Sequence, residues 1–329
     1  MDDVPCEFIE SIVEFIDHGE WSRNPTIFNF FCAKFHKLGS PWNVLSEGYR
    51  AKVKVFNLLI RRRDKEADKL QCLFLDKTTN SLWTWKDVQK ITPKFLRFFE
   101  VFEEINDLSS SIMRQVTNGC NVEEAKMKTF LKRYFSREIP VGSLYCKRDT
   151  LSIQECFLPY TCHTVYFTSI EMIIASKTSI AFLQHQIDNS QHLRKLDVMS
   201  PWSNADLDYN ISSYLIKFLK REFRTELKFR GAPEFVYSDF LEIRNYWLEK
   251  DYFDTTIDAT FKYNREDVME FMINIGAGFL SMWILKHERR NSVLRIFRRP
   301  GSFTIEFYNC ECHKGFCLFF ENNHILHGL

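Results

Sequence analysis

Leu193-Arg-Lys-Leu-Asp-Val198, Thr225-Glu-Leu-Lys-Phe229 and Thr255-Thr-Ile-Asp-Ala-Thr-Phe261 recur about every 31 residues along the chain. Each is a short run of strand-like composition. Between them lie apolar stripes at helical spacing: Leu207, Ile211, Tyr214, Leu215 and Phe218 in the first interval, and Phe240, Ile243, Trp247 and Leu248 in the second. Asn204 or Asp206 opens the first of these helices, and Lys217, Lys220 and Arg221 close it, the order the helix dipole favours. A third stripe follows Asn264, with Glu266 and Asp267 in its first turn and Val268, Phe271, Met272 and Ile275 on one face. The run 164–173, TVYFTSIEMI, with the helix after it, reads as an earlier and less regular copy. Strands that alternate with helices at this period lie parallel and are joined by right-handed crossovers, as a short solenoid or as an open parallel sheet. The chain then closes with NSVLRIF (291–297), the turn Arg299-Pro300-Gly301-Ser302 and FTIEFY (303–308), which is a β-hairpin signal.

Upstream of residue 161 the pattern differs. Phe8, Ile9, Ile12, Val13 and Ile16, after Pro5, form an amphipathic helix, and Phe28, Phe31, Phe35 and Leu38 form a second one that Gly39 and Pro41 stop. From residue 51 the period shortens. AKVKVFNLLI (51–60) and KLQCLFLD (69–76) read as a hairpin with a charged tip. Leu82, Trp83 and Trp85, then KFLRFFEVF (94–102), add two strands, and Asn121-Val-Glu-Glu124 gives a capping-box start to a helix running to about Tyr134. The fold expected is therefore mixed α+β or α/β. It has a small N-terminal helical unit (1–50), a β-rich middle (51–160) and a strand-helix repeat region (161–329) ending in a hairpin.

Composition limits what such a fold does. Phe is abundant, with 32 residues, whereas only 11 are Gly, which argues against glycine-dependent catalytic and phosphate-binding loops. Lys and Arg (44) balance Asp and Glu (43), so no global field steers the chain to nucleic acid or to an anionic membrane. The start, MDDVPCEFIE, has no basic region or cleavage site of a secretory signal. The longest near-apolar run, 271–285, is short of the roughly 20 residues that span a bilayer. The ten Cys are scattered mostly one at a time through apolar stretches, which suits reduced thiols better than a disulfide framework. The expected compartment is the cytoplasm or the nucleus, not the secretory route.

No constellation of residues announces a reaction. Cys310, Cys312, His313 and Cys317, with His324 and His327 beyond, are the right chemistry for zinc. Cys-x-Cys is not a usual zinc-knuckle spacing, however, and a C-terminal hairpin with ordinary cysteines accounts for the same residues. Gly276-Ala-Gly278 is the closest glycine pair and sits in an apolar stretch, so nucleotide binding is disfavoured. There is no Gly-x-Ser-x-Gly elbow and no His-Glu-x-x-His helix; His287 and Glu288 are merely adjacent. Glu103-Glu104, Glu123-Glu124 and Asp206-x-Asp208 read as a solvated edge and as helix N-terminal charges. Arg61-Arg62-Arg63 shares its hairpin tip with Asp64, Glu66 and Asp68, and Arg289-Arg290 and Arg298-Arg299 flank one strand. Such balanced charge favours solubility over an RNA-binding face. The residues point to a non-catalytic chain with no cofactor, no small-molecule substrate, no nucleic acid and no membrane.

At the N-terminus, Val4-Pro5, Phe8, Ile12-Val13 and Phe15-Ile16 resemble the opening of an F-box, a small helical module whose apolar face docks on the Skp adaptor of an SCF ubiquitin ligase. The second half of that motif is not matched; Trp21 and Trp42 stand at other positions. In layout the whole chain resembles the nematode-expanded proteins that begin Met-Asp-x-Val-Pro and carry an F-box-associated, FTH-type region. That likeness rests on MDDVP, the 52–76 hairpin, the repeats at 193–261 and the terminal hairpin. The resemblance implies an adaptor. Val4, Pro5, Phe8, Ile12 and Phe15 would bind the Skp-type adaptor, and the repeat region would present a surface to a target protein. The alternative is a scaffold without ligase docking, in which the same residues pack on the following domain.

Overall fold

The computed structural model describes residues 12, 42–62, 69–103, 120–135, 140–146, 157–159, 161, 165–200, 211–222, 224–250, 253–262, 273–274, 282–287, 292–299 and 302–309. Chain contacts divide it into two units, Met1–Leu193 and Arg194–Leu329. The small N-terminal helical unit expected from the sequence lies almost wholly outside the described residues.

In the first unit α1 (Trp42–Lys52) leads into β1 (Lys54–Arg62), which returns antiparallel as β2 (Lys69–Asp76), with Phe56 opposite Asp76 and Arg62 opposite Leu70. The hairpin expected from 52–76 is therefore present. Asp76 Oδ1 accepts from the amides of Thr78 and Thr79 at 2.8 and 3.1 Å, and Asn80 takes a φ of 55°, which turns the chain into β3 (Leu82–Trp83). Trp85, expected in a strand, instead begins the short helix α2 (Trp85–Val88), because Thr84 caps it by accepting from the Asp87 amide at 3.2 Å.

After a 3-10 turn at Pro93–Phe95, β4 (Leu96–Glu103) lies parallel to β1. The segment expected to cap a helix at Asn121 is a strand, β5 (Cys120–Glu123), with Asn121 opposite Gln71 of β2. The helix that follows, α3 (Glu124–Tyr134), ends where expected but has no side-chain cap at Glu123. β6 (Val141–Cys146) runs parallel to β4, and β7 (Phe167–Ile173) runs parallel to β6. The β6–β7 pairing thus spans position 160, where the sequence pattern changes. α4 (Lys177–Asn189) follows, its N-terminus closed by reciprocal bonds between Ser176 and Ser179.

Alternation along β1, β2 and β4 puts Phe56, Phe74 and Phe98 on one face. There they meet rings delivered by α2 and α3: Trp85 lies 4.7 Å from Phe130, and Phe74 lies 5.8 and 5.6 Å from these two. Phe98 stacks on Phe135 at 4.4 Å. Five of the 32 Phe, at 56, 74, 98, 130 and 135, meet in this layer, in which each fully buried ring is worth about 2–3 kcal/mol. The opposite face carries a smaller cluster of Leu59 and Leu73 with Leu82 and Phe102, the last stacked on Tyr145 at 4.9 Å.

Glu100 shares that second face and accepts from Asn57 Nδ2 at 2.9 Å, with Lys77 Nζ at 3.8 Å. Burial nevertheless holds its carboxyl above the usual carboxylate range, against the pull of Lys77 and Asn57. The folded chain therefore binds this proton more tightly than the unfolded chain does. The stability it contributes is full in acid and falls as pH rises through the raised value. Glu100→Gln, which keeps an oxygen for Asn57, is expected to raise the urea midpoint at neutral pH and to leave it unchanged in acid below the ordinary carboxylate value.

The second unit opens with β8 (Lys195–Ser200), α5 (Ile211–Leu219), β9 (Glu226–Val236), α6 (Tyr237–Glu249) and β10 (Asp254–Lys262). The three repeated runs are its parallel strands. β9 lies between β8 and β10, with Lys195, Glu226 and Asp254 in line, then Val198, Phe229 and Ile257. Right-handed crossovers between strands in chain order place both helices on one face. In agreement, α5 and α6 both pack on β9 and on each other. The rest is antiparallel: β11 (Ile273–Asn274), β12 (Met282–Lys286), β13 (Ser292–Arg299) and β14 (Ser302–Asn309), with β14 against β10. Arg299 pairs with Ser302, so the terminal hairpin turns at the expected place. An open sheet whose parallel strands end against an antiparallel ribbon is thus the form the repeats take.

Candidate interaction surface

Strand alternation decides which side of the second unit meets solvent. Leu196, Val198, Leu227, Phe229, Ile257 and Ala259 are buried, on the side that takes Leu215, Phe218, Phe240, Ile243 and Trp247 from the helices. The intervening positions form the other face. Across the register, Lys195 stands beside Glu226, Asp197 beside Lys228, Arg230 beside Asp258, and Arg295 beside Glu306. Each is a cross-strand pair of opposite charge, which favours this register over a one-residue slip. Arg295 Nη2 donates to Glu306 Oε2 at 2.9 Å, and its guanidinium lies 5.0 Å from the Phe297 ring. Lys228 and Arg230 are exposed, and Met199, beside Arg230, keeps 43% of its surface in water.

One end of this face is shaped by Gly231. β9 carries two extra residues, Ala232 and Pro233, since Ala259 of β10 pairs with Gly231 and Thr260 with Glu234. Gly231 adopts a φ of 126°, and a Cβ there would lie 1.7 Å from the Ser200 carbonyl oxygen. At the other end α6 is pinned to the ribbon. Trp247 Nε1 donates to Ser292 Oγ at 2.8 Å, and its ring lies 5.0 Å from His287 and 5.6 Å from Phe307. The His287 amide donates to the Ser292 carbonyl at 2.9 Å, and its Nε2 lies 3.1 Å from the Leu248 carbonyl oxygen.

Of the residues expected to dock an adaptor, Ile12 is helical and half-buried, whereas Val4, Pro5, Phe8 and Phe15 lie outside the described residues. Cys310, Cys312, His313 and Cys317 also lie outside them, as do His324, His327 and the Gly276–Gly278 pair. Among the described residues no group of three or more His, Cys, Asp or Glu could hold a metal ion. Cys72 and Cys146 are buried. Arg61 and Arg62 end β1, and Arg298 and Arg299 end β13. Glu123, exposed at the start of α3, pairs with Lys126 at 3.1 Å, a helix N-terminal charge as expected. Among the described residues no helix is long and apolar enough to cross a membrane.

Sequence reasoning did not single out the charged ladder as a surface. The polar members of the three repeats, Asp197, Lys228 and Asp258, were its visible signal. Comparison with known proteins finds no matching family model, no matching curated protein and no matching solved structure.

Proposed function

We propose that this chain is a non-catalytic protein-interaction adaptor, the substrate-recognition subunit of an SCF-type ubiquitin ligase. Its N-terminal residues Val4, Pro5, Phe8, Ile12 and Phe15 bind a Skp-type adaptor, and its strand-helix region holds a target protein. The observation that carries the interaction role is the face of β8, β9 and β10, where exposed Met199 and Arg230 stand among residues of opposite charge at facing register positions. Met and Arg are enriched at protein interfaces, and rows of charge confer register on a partner more than affinity. The ligase role rests on the F-box resemblance of the first helix. A scaffold without ligase docking is the second reading, and the half-buried state of Ile12 favours it.

The test is capture of a purified Skp-type adaptor by the full chain. Binding that is lost with Phe8→Asp supports the reading; an intact chain that captures none refutes it.

A further inference from the structure

Charges of both signs share the β8–β10 face, yet two cations on β9 stay uncommitted. Lys228 and Arg230 are exposed, and among the described residues neither makes a hydrogen bond, an ion pair or a ring contact. They stand two residues apart on one strand, so both project from the side opposite Phe229 and the helices. In the register Lys228 lies between Asp197 of β8 and Thr256 of β10, and Arg230 lies between Met199 and Asp258. The two aspartates are half-buried, which leaves the cations outermost. Glu226, two residues earlier in the same row, lies 3.9 Å from Arg224. Beyond Arg230 the row stops, because Gly231 opens the bulge. The exposed cationic line is therefore two side chains long and one strand wide.

We infer that Lys228 and Arg230 clamp an extended segment of the target protein that carries Asp or Glu at two positions separated by one residue. This rests on the reading that the β8–β10 face receives a target. Residues two apart on a strand are about 6.7 Å apart, and those of an extended partner repeat at the same interval, so two carboxylates meet two cations in step. Width decides against a helix. Asp197 flanks the line on one side and Asp258 on the other, each about 4.8 Å away. A helix, about 10–12 Å across with its side chains, would carry its acidic rows over those aspartates, whereas an extended segment keeps to β9. Single-stranded nucleic acid would meet the same aspartates, and it wants exposed rings to stack its bases. Phe229, the ring between the two cations in sequence, is fully buried on the other side. Met199, exposed beside Arg230, adds an apolar contact that adapts to the neighbouring side chain of the segment.

Two short fluorescent peptides of one composition test this on the full-length chain. One alternates Asp and Thr, which puts every carboxylate on one face of an extended chain; its isomer repeats Asp-Asp-Thr-Thr and never places carboxylates two residues apart. The alternating peptide binds at low salt, about fivefold more tightly than the isomer, and added salt weakens it. Lys228→Gln, Arg230→Gln lowers its affinity about tenfold. The charge-matched control Lys132→Gln, Lys177→Gln, on α3 and α4, leaves it unchanged. Comparison of the isomers uses the unaltered chain and carries the test if the double variant folds poorly. No binding of the alternating peptide overturns the inference, as does equal binding of the two isomers or equal loss in the control. Tighter binding of a single-stranded oligothymidylate through the same two residues overturns it as well. Peptide binding lost while the adaptor is still captured removes the clamp alone; capture lost while the peptide still binds removes the ligase role alone.

Discussion

Trp247→Ala is expected to unfold most of the second unit at physiological temperature. The indole is fully buried and is the central contact between α6 and the β12–β13–β14 ribbon, touching His287 and Phe307. Truncating a buried Trp costs about 3–5 kcal/mol through lost burial and the cavity left behind. The change also strands Ser292 Oγ, which takes the indole N–H and belongs to a residue only 1% exposed. An unmet buried hydroxyl adds about 1–3 kcal/mol. Against a total stability of about 5–15 kcal/mol, that sum removes most of the margin. Urea unfolding followed by near-ultraviolet circular dichroism reads it directly. Trp247→Phe keeps an aromatic ring in the site while losing the hydrogen bond and part of the buried volume, and it should cost about half as much or less. A Trp247→Ala midpoint equal to that of the intact chain would remove Trp247 as the pin.

Gly231→Val is expected to be as damaging, for a backbone reason. Its Cβ would stand 1.7 Å from the carbonyl oxygen and 2.7 Å from the carbonyl carbon of Ser200, atoms of the paired strand β8 and not the movable tip of a side chain. Relief requires β8 and β9 to part at the end of their ladder. A β-branched residue at a φ of 126° also carries strain of about 1–3 kcal/mol before any clash is counted. The bulge with Ala232 and Pro233 depends on this glycine, so its loss should release the β8 and β9 amides to hydrogen exchange well before those of β13 and β14. Gly231→Ala should show the same order at smaller amplitude, because the Cβ alone makes the contact. Equal exchange in the Gly231→Val variant and the parent would mean that the β8–β9 approach is looser than the structure has it.

The repeat could be read because its chemistry is periodic: each strand buries alternate residues, Leu196 and Val198, Leu227 and Phe229, Ile257 and Ala259, and the stripes of α5 and α6 turn Leu215, Phe218, Phe240, Ile243 and Trp247 inward. Val268, Phe271, Met272 and Ile275 of the third expected helix, by contrast, lie outside the described residues, and Ile273–Asn274 form β11. The two hairpins were equally legible from runs bounded by polar tips. What was missed depended on distant partners. β6 was not singled out, since a short run such as VGSLYC becomes a strand only by lying between β4 and β7. Asn121 has the residue type of a cap, yet the edge of β2 takes it as a strand, which is tertiary pairing overriding a local signal. Trp85 went the other way, because Thr84 offers the Asp87 amide an acceptor and starts a turn of helix. The Gly231 bulge did leave a trace, a Gly-Ala-Pro inside a strand-like run, which is the composition of an irregular strand.

The claim that the first helix docks a ligase adaptor while the rest of the chain presents a surface is tested most directly by hydrogen exchange on the full chain, with and without a Skp-type adaptor. Exchange in residues 4–17 should slow when the adaptor is added, and exchange in β8, β9 and β10 should not change. Residues 4–17 that are already protected in the free chain and unaltered by the adaptor would contradict the account and leave the non-docking scaffold in its place.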